Sequence, residues 1–556
     1  MIGFGPATPY LYLQAPEGTS VPPANAYVII QSIRKRPVYG DLLKKSDDSA
    51  AVGKITDLRI WWDKLVTVGP DFGYYANSSK TWLITKQGHH AEAISTFAGT
   101  GVNVTPDGRP YLGTAIGSQA YMEAYARQKV GEWLSCVNHL TDIAKTQPHA
   151  AFAALTHGLM SKWTYLSRTT PGISHIMEPL DETLRCKLFP VLTGRPPPSD
   201  LECSLFALPA RLGGLGIGIP SRNADRELQS SLLITSALRD HILSQDDEYG
   251  YEIIAEQLQS KAIIRNANKE RSSKDTNDLT DHLPSNLQRA MILAKEKGSS
   301  TWLTALPLVE HGFALHKGAF QDALALRYGW TPSKMPAKCE CGKSFSVEHA
   351  LSCAKGGFPS IRHNEIRDLT ATLLTEVCSD VRTEPELQPV TDGAFSGATA
   401  NLQDGARLDI AANGLWGGRF ERTYLDVRVF NPHAPSNRHT QLSACYRKHE
   451  QEKKRAYEQR VREVEHATFT PLVMAATGGL ANEANIFYKR LASKLALKWD
   501  TPYSSTLCWL RCHLSFSLLR SSIQAIRGAR SSCGHPIKSP TAIDLITSET
   551  NITTDC

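Results

Sequence analysis

Apolar residues along this chain recur mostly at three- and four-residue steps, broken by a few short alternating runs. Met122, Tyr125, Val130, Trp133, Val137, Leu140 and Ala144 keep the helical step from Ser118 onward and predict a long amphipathic helix. The stretch Ala51–Val68 presents Val52, Ile55, Leu58, Ile60, Trp61 and Leu65 on one broad face and also reads as a helix. Thr81–Thr85 and Gly101–Thr105 read as short strands, so residues 1–110 form a mixed α/β block. Further helices are expected over Ala151–Leu166 and Ile173–Phe189, the latter closed by Arg195 and the prolines through Pro198. Leu212–Ile217 is rich in glycine but lacks the Lys-Ser/Thr ending of a phosphate loop, so it reads as a tight turn between helices. Residues 265–286 are the most polar stretch and the best candidate for a linker or exposed loop.

Helical texture resumes from Gly312 to Trp330. It continues after a cysteine cluster with Ile366, Leu369, Leu373, Leu374 and Val377. Two or three strands between Val381 and Val429 follow, then a highly charged helix over Leu442–His466, a strand at Phe469–Met474 and a helix over Ile486–Leu497. The order is αβββαβ. A final amphipathic helix is expected over Leu507–Arg530, and the residues after Cys533 are polar enough to be a disordered tail. There is no internal repeat.

A chain of 556 residues is too long for one core and implies two to four domains. With 41% hydrophobic and 21% charged residues it is a folded α+β multidomain protein rather than a disordered one. The formal net charge of +6 is compatible with a polyanionic partner without requiring one. Met1–Pro6 has neither the basic nor the apolar region of a secretory leader, and no apolar run reaches the roughly 20 residues of a membrane span. Of twelve cysteines only Cys339, Cys341 and Cys353 cluster, so a disulfide framework is not expected, and a reducing compartment is.

That cluster carries the first candidate site. Cys339, Cys341, His349 and Cys353 supply three thiolates and one imidazole within fifteen residues, the donor set of a closed, structural zinc site. Gly342 gives the turn such a knuckle needs, and Gly356 and Gly357 release the chain after the last ligand. The second candidate is an acidic pair. Asp409 and Asp426 each interrupt an aliphatic stretch on either side of the turn Asn413–Gly418. A carboxylate inside an apolar strand is costly unless it is paired or holds a metal, and two carboxylates brought together on a hairpin suit Mg²⁺. The alternative is two solvent-facing aspartates on an edge hairpin. Nuclease hairpins of this type continue with a lysine two residues after the second acid. Here Arg428 stands there and stays protonated, so the lysine is sought in the next helix, at Lys453 or Lys454. Glu384 and Glu386 are weaker candidates for a third carboxylate. Arg362 and His363, between knuckle and helix, suit either contact with DNA phosphates or helix capping and packing. The charged helix pairs Glu450 with Lys454 and Glu458 with Arg462, as a solvated face would. Asp47 and Asp48 form an acidic turn that reads first as a helix cap.

Taken together, Trp302–Pro307, Gly312–His316, Arg327–Trp330, the cysteine cluster, Arg362–Asp368, Ala406–Ile410 and Leu425–Pro432 resemble the C-terminal part of non-LTR retrotransposon polyproteins that carry a restriction-enzyme-like endonuclease. The resemblance implies a partial reverse transcriptase palm at 1–110, a helical thumb at 111–245 and a helical connector with its polar linker at 246–335. It then implies a CCHC zinc knuckle at 336–360, an αβββαβ endonuclease domain at 361–500, a C-terminal helix at 501–531 and a tail at 532–556. It matches Asp47-Asp48 to the paired aspartates of the palm and Lys80 to the lysine of the following motif. Lys44-Lys45-Ser46 replaces the aromatic lead-in to that pair, Glu17–Pro23 reads as a degraded polymerase motif, and too little chain precedes Asp47 to hold the fingers. The resemblance thus implies a Mg²⁺-dependent DNA-nicking protein without polymerase activity, with DNA and element RNA as partners, in the nucleus or the cytoplasm. The competing reading is a non-catalytic, nucleic-acid-binding remnant.

Overall fold

The computed structural model describes residues 27–35, 48–72, 74–244, 251–390 and 400–530. Asp47 and the tail after residue 530 lie outside them. The fold is mixed α+β and mainly helical. It forms two compact units, one drawn from Met1–Val137, Gly158–Leu184 and Ile219–Arg271, the other from Asn138–His157, Arg185–Gly218 and Ser272–Cys556. The segment 111–245 therefore does not form one body, and knuckle, αβββαβ segment and C-terminal helix all belong to the second unit.

In the first unit, strand Tyr27–Lys35 pairs antiparallel with Asp48–Gly53, Tyr74–Ala76 and Trp82–Ile84, and Asn103–Thr105 joins Trp82–Ile84 in parallel. A small core of Ile55, Leu58, Trp62, Leu83, Ala93 and Phe97 packs around it. The expected helix over Ala51–Val68 is only partly present. Residues Asp48–Gly53 are extended, Val52 is exposed, and the helix starts at Ile55. Gly53 and strand pairing win over a helical pattern that ran one turn too far. The long helix Gln119–Ala144 is present as expected. The expected linker at 265–286 is instead the second half of a continuous helix, Tyr251–His282. Lys, Glu, Arg and Ala are good helix formers, and a helix bathed in solvent on most sides needs no apolar stripe. The turn at Leu212–Ile217 is a packed one: a Cβ on Gly214 would meet the Leu208 carbonyl oxygen at 1.9 Å.

Eight elements of the second unit position the candidate sites: α1 (Phe358–Thr375), β1 (Ser379–Thr383), β2 (Ile410–Asn413), β3 (Arg422–Phe430), α2 (Leu442–Glu463), β4 (Thr468–Ala475), α3 (Asn482–Trp499) and α4 (Tyr503–Arg527). The sheet order is β4-β3-β2-β1, with β3 and β4 parallel and the other pairs antiparallel. Strand side chains alternate between faces, and β3 shows it directly. Leu425 and Val427 pack with Leu373 of α1, Leu491 of α3 and Leu514 of α4. Tyr424 and Phe430 point the other way, onto Val461 and onto Leu442, Cys445 and Tyr446 of α2. Asp426 shares that second face. The C-terminal helix is not an appended element: Leu510, Leu514 and Leu518 sit in the main core, and Ile526 reaches the knuckle. Among the described residues no helix is long and apolar enough to cross a membrane.

Candidate metal centre and acidic pair

The knuckle is built from a tight hairpin and one helical turn. Lys338 bridges Ser344, the Gly342 N–H donates to the Cys339 carbonyl (2.8 Å), and Gly342 takes a left-handed φ of 83°. That brings Cys339 and Cys341 to one side. Ser346 caps the short helix Val347–Ala350 by accepting from the His349 N–H, and the Cys353 N–H donates to the His349 carbonyl (2.8 Å), so His349 and Cys353 stack one turn apart. The four donor atoms all lie within 4.8 Å of one another. Ligands about 2.3 Å (S) and 2.0 Å (N) from a tetrahedral zinc would stand roughly 3.8 Å apart for S–S and 3.5 Å for S–N. Cys339 Sγ and Cys353 Sγ are 3.8 Å apart, and Cys341 Sγ and His349 Nε2 3.3 Å. The cluster can hold a metal ion, and its donor set and spacing are compatible with a zinc site with no open position.

Arg362 is not placed to touch a phosphate. It is 2% exposed and donates from Nη2 to the Leu351 carbonyl (3.1 Å), at the C-terminal end of the knuckle helix. Arg530 reaches the neighbouring Ala350 carbonyl (3.2 Å) and lies over Phe345 and Phe358. Two guanidinium groups thus brace the carbonyl end of that helix, where cations are favoured. Asn431, just past β3, fastens the knuckle to the sheet by donating to the Glu348 carbonyl (3.0 Å) and Ser352 Oγ (2.8 Å). Arg530 and Asn431 carry no sequence signal of this role.

Asp409 and Asp426 are brought together. The β2–β3 register pairs Ile410 with Leu425, which sets Asp409, one residue earlier, opposite Asp426. Each carboxyl influences the ionisation of the other. Asp409 Oδ2 accepts from the Val427 N–H (2.6 Å) and contacts His363 Nε2 (3.1 Å), so His363, presented by α1, belongs to this site. Burial opposes ionisation of Asp409, but the bonds with His363, Asp426 and the Val427 N–H outweigh it and hold the carboxyl below its ordinary value. The same bond raises His363. Asp426 is 5% exposed, and burial, opposed by Lys453 and reinforced by Asp409, pushes its carboxyl up to about 7. Lys453 Nζ stands 2.7 Å from Asp426 Oδ2 and pairs with the buried carboxyl.

Of the two lysines considered, only Lys453 reaches the pair. Lys454, about 100° further round the helix, donates to Glu483 Oε1 (2.8 Å) at the start of α3. Arg428 is exposed, two residues beyond Asp426 on the same strand face. Glu384 is held by Arg367, and its N–H donates to the Asp409 carbonyl (2.9 Å), which puts it beside the pair. Glu386 faces Arg407 in an isolated bridge. In the first unit, Asp48 opens a strand opposite Ser32, and Lys80 is exposed on a short turn, Ser78–Lys80. No protein-family model matches the chain, and no curated protein matches it.

Proposed function

We propose that this chain is derived from the C-terminal part of a non-LTR retrotransposon protein and hydrolyses phosphodiester bonds in DNA with Mg²⁺ at Asp409 and Asp426. The observation that carries this reading is the pair of facing carboxyls, Asp426 buried and Asp409 half-buried, with one lysine against it, at the antiparallel β2–β3 hairpin. The order α1-β1-β2-β3-α2-β4 is that of restriction-enzyme-like nucleases, and the zinc-compatible knuckle precedes it, as in the family the sequence resembles. Bound between the carboxylates, Mg²⁺ would polarise the scissile phosphate and lower the pKa of an attacking water.

The chain's own groups have separate tasks in this reading. His363 and the Val427 N–H fix one oxygen of Asp409, so its second oxygen points in a set direction. Lys453 neutralises Asp426 and presents an ammonium group to the phosphate or the incoming water. Arg428, exposed on the same face, adds positive charge to the approach and cannot act as a base. Arg362 belongs to the frame of the knuckle rather than to DNA contact. The polymerase part of the reading rests on the resemblance alone. It assigns Asp47, Asp48 and Lys80 to a degenerate palm with no primer extension, and element RNA and the nucleus come with it.

A plasmid-nicking assay with Mg²⁺ tests the proposal. Wild type is expected to convert supercoiled to open-circular DNA, and Asp426→Asn and Asp409→Asn to lose at least about 100-fold in rate, given the several kcal/mol a catalytic metal supplies. Nicking that persists in both variants would remove the carboxylates from the chemistry. DNA binding without nicking by wild type would leave a non-catalytic binding protein.

A further inference from the structure

The two most exposed large apolar side chains among the described residues are Leu497 at 86% and Phe420 at 83%. Leu497 is on α3, and Phe420 is on the glycine-rich turn between β2 and β3. An open groove of about 580 Å³ is lined by Asn413, Arg419, Lys494, Leu497 and Lys498, so Leu497 borders it and Phe420 directly follows its lining residue Arg419. Lys498 pairs with Glu376 on the groove wall (2.9 Å), so Arg419 and Lys494 leave the lining with a positive balance. Arg490, one turn before Lys494, donates to the Leu415 carbonyl (3.1 Å) and holds the turn in place. The Arg419 guanidinium sits 5.9 Å from the Phe420 ring centre, a cation beside an open aromatic face.

Neither feature helps the fold. Exposed Phe and Leu forgo their burial energy, and a turn of Gly414, Gly417 and Gly418 would be as stable with a polar residue in place of Phe420. An aromatic face at the rim of a cationic groove is the arrangement that binds single-stranded polynucleotides, with phosphates on the cations and a base stacked on the ring. We infer that this groove, at the β2–β3 turn, binds a single-stranded segment of DNA or RNA. It stands at the far end of the hairpin from the carboxyl pair. Arg422 to Asp426 is four residues, roughly 13 Å along the strand. The inference concerns the same class of ligand as the proposed nuclease but uses none of its residues, so the two can fail separately.

Fluorescence anisotropy of the full chain with labelled oligo(dT) and oligo(U) is the test. Phe420→Ala should weaken binding about 5- to 150-fold, the loss of one stacked base. Lys494→Gln should reduce the slope of log affinity against log salt by about 0.7. A preference for oligo(U) identifies RNA as the natural strand, and one for oligo(dT) identifies DNA. The inference falls if wild type binds neither oligomer, or if both variants bind as wild type does. It also falls if polyglutamate displaces the oligomers equally well, which would assign the groove to an acidic protein. Oligomer binding by a wild type that does not nick plasmid would leave the groove standing and remove the nuclease.

Discussion

Replacing Arg362 by methionine separates a structural brace from a DNA contact. The side chain is 2% exposed and is bonded only to the Leu351 carbonyl, with Nε and Nη1 unpartnered. Burial, partly offset by Glu365, pulls its pKa down to about 10. It therefore stays charged at pH 7, and at about 1.4 kcal/mol per pH unit keeping that charge buried costs the folded state roughly 3 kcal/mol. Methionine fills similar space and removes that cost, but it also removes a charge-assisted hydrogen bond and strands a carbonyl, a loss of about 1.5–3 kcal/mol. The two terms nearly cancel. Arg362→Met should therefore shift the urea midpoint of the second unit by no more than about 1.5 kcal/mol equivalent. In anisotropy titrations against duplex DNA its salt slope should equal that of wild type. A phosphate-contacting arginine would instead lower the slope by about 0.9 and leave stability untouched. That pattern would overturn the brace.

Metal removal should act locally and then globally. Chelation, or Cys353→Ser, is expected to release about one zinc per chain by elemental analysis and to expose residues 337–353 to proteolysis, because the small apolar cluster of Phe345, Ala350 and Ile526 with the partly buried Leu326, Met335 and Val347 is too small to hold the knuckle alone. Retention of full protease resistance without metal would refute a structural role. Acid should destabilise the second unit through His149. Burial pulls His149 down to about 4, Nδ1 accepts from the Leu315 N–H (3.2 Å), and the ring stacks on Phe320. The unfolded chain takes up the proton that the folded form refuses, so stability is complete above pH 6.5 and falls by up to about 1.4 kcal/mol per unit as pH drops toward 4. His149→Phe should have a shallower melting-temperature profile between pH 6.5 and 4.5. An unchanged profile would show that this ring is not the titrating group.

Elements whose burial is periodic were legible from sequence. The αβββαβ order, the helix Gln119–Ala144 and the closing helix all follow from apolar spacing that tertiary packing then uses. Tyr251–His282 was not, because an exposed helix leaves no apolar period, and its polar residues look like loop composition. Asp48–Gly53 was misread for the converse reason: its pairing partner lies about twenty residues upstream, and local spacing says nothing about pairing. The knuckle was readable because all four ligands fall within fifteen residues. Its braces, Arg530 and Asn431, come from residues far along the chain and leave no local mark.

The acidic pair shows where reading by pattern stops. Two aspartates interrupting aliphatic runs on either side of a turn stand out, since a carboxylate inside an apolar strand is costly unless it is paired or holds a metal. The lysine that faces them does not. Lys453 and Lys454 are chemically identical and adjacent, yet one residue turns an α-helix by about 100°. Which of them meets Asp426 depends on the rotation of α2 against β3. That rotation is set by Leu442, Cys445 and Tyr446 packing beside Phe430 at one end of the helix and by Val461 packing near Tyr424 at the other. Those contacts fix the choice: Lys453 stands against Asp426, and Lys454 is turned away to Glu483. The identity of the third group in the site is therefore a consequence of helix-on-sheet packing, and repacking that interface would change it without altering any acidic or basic residue.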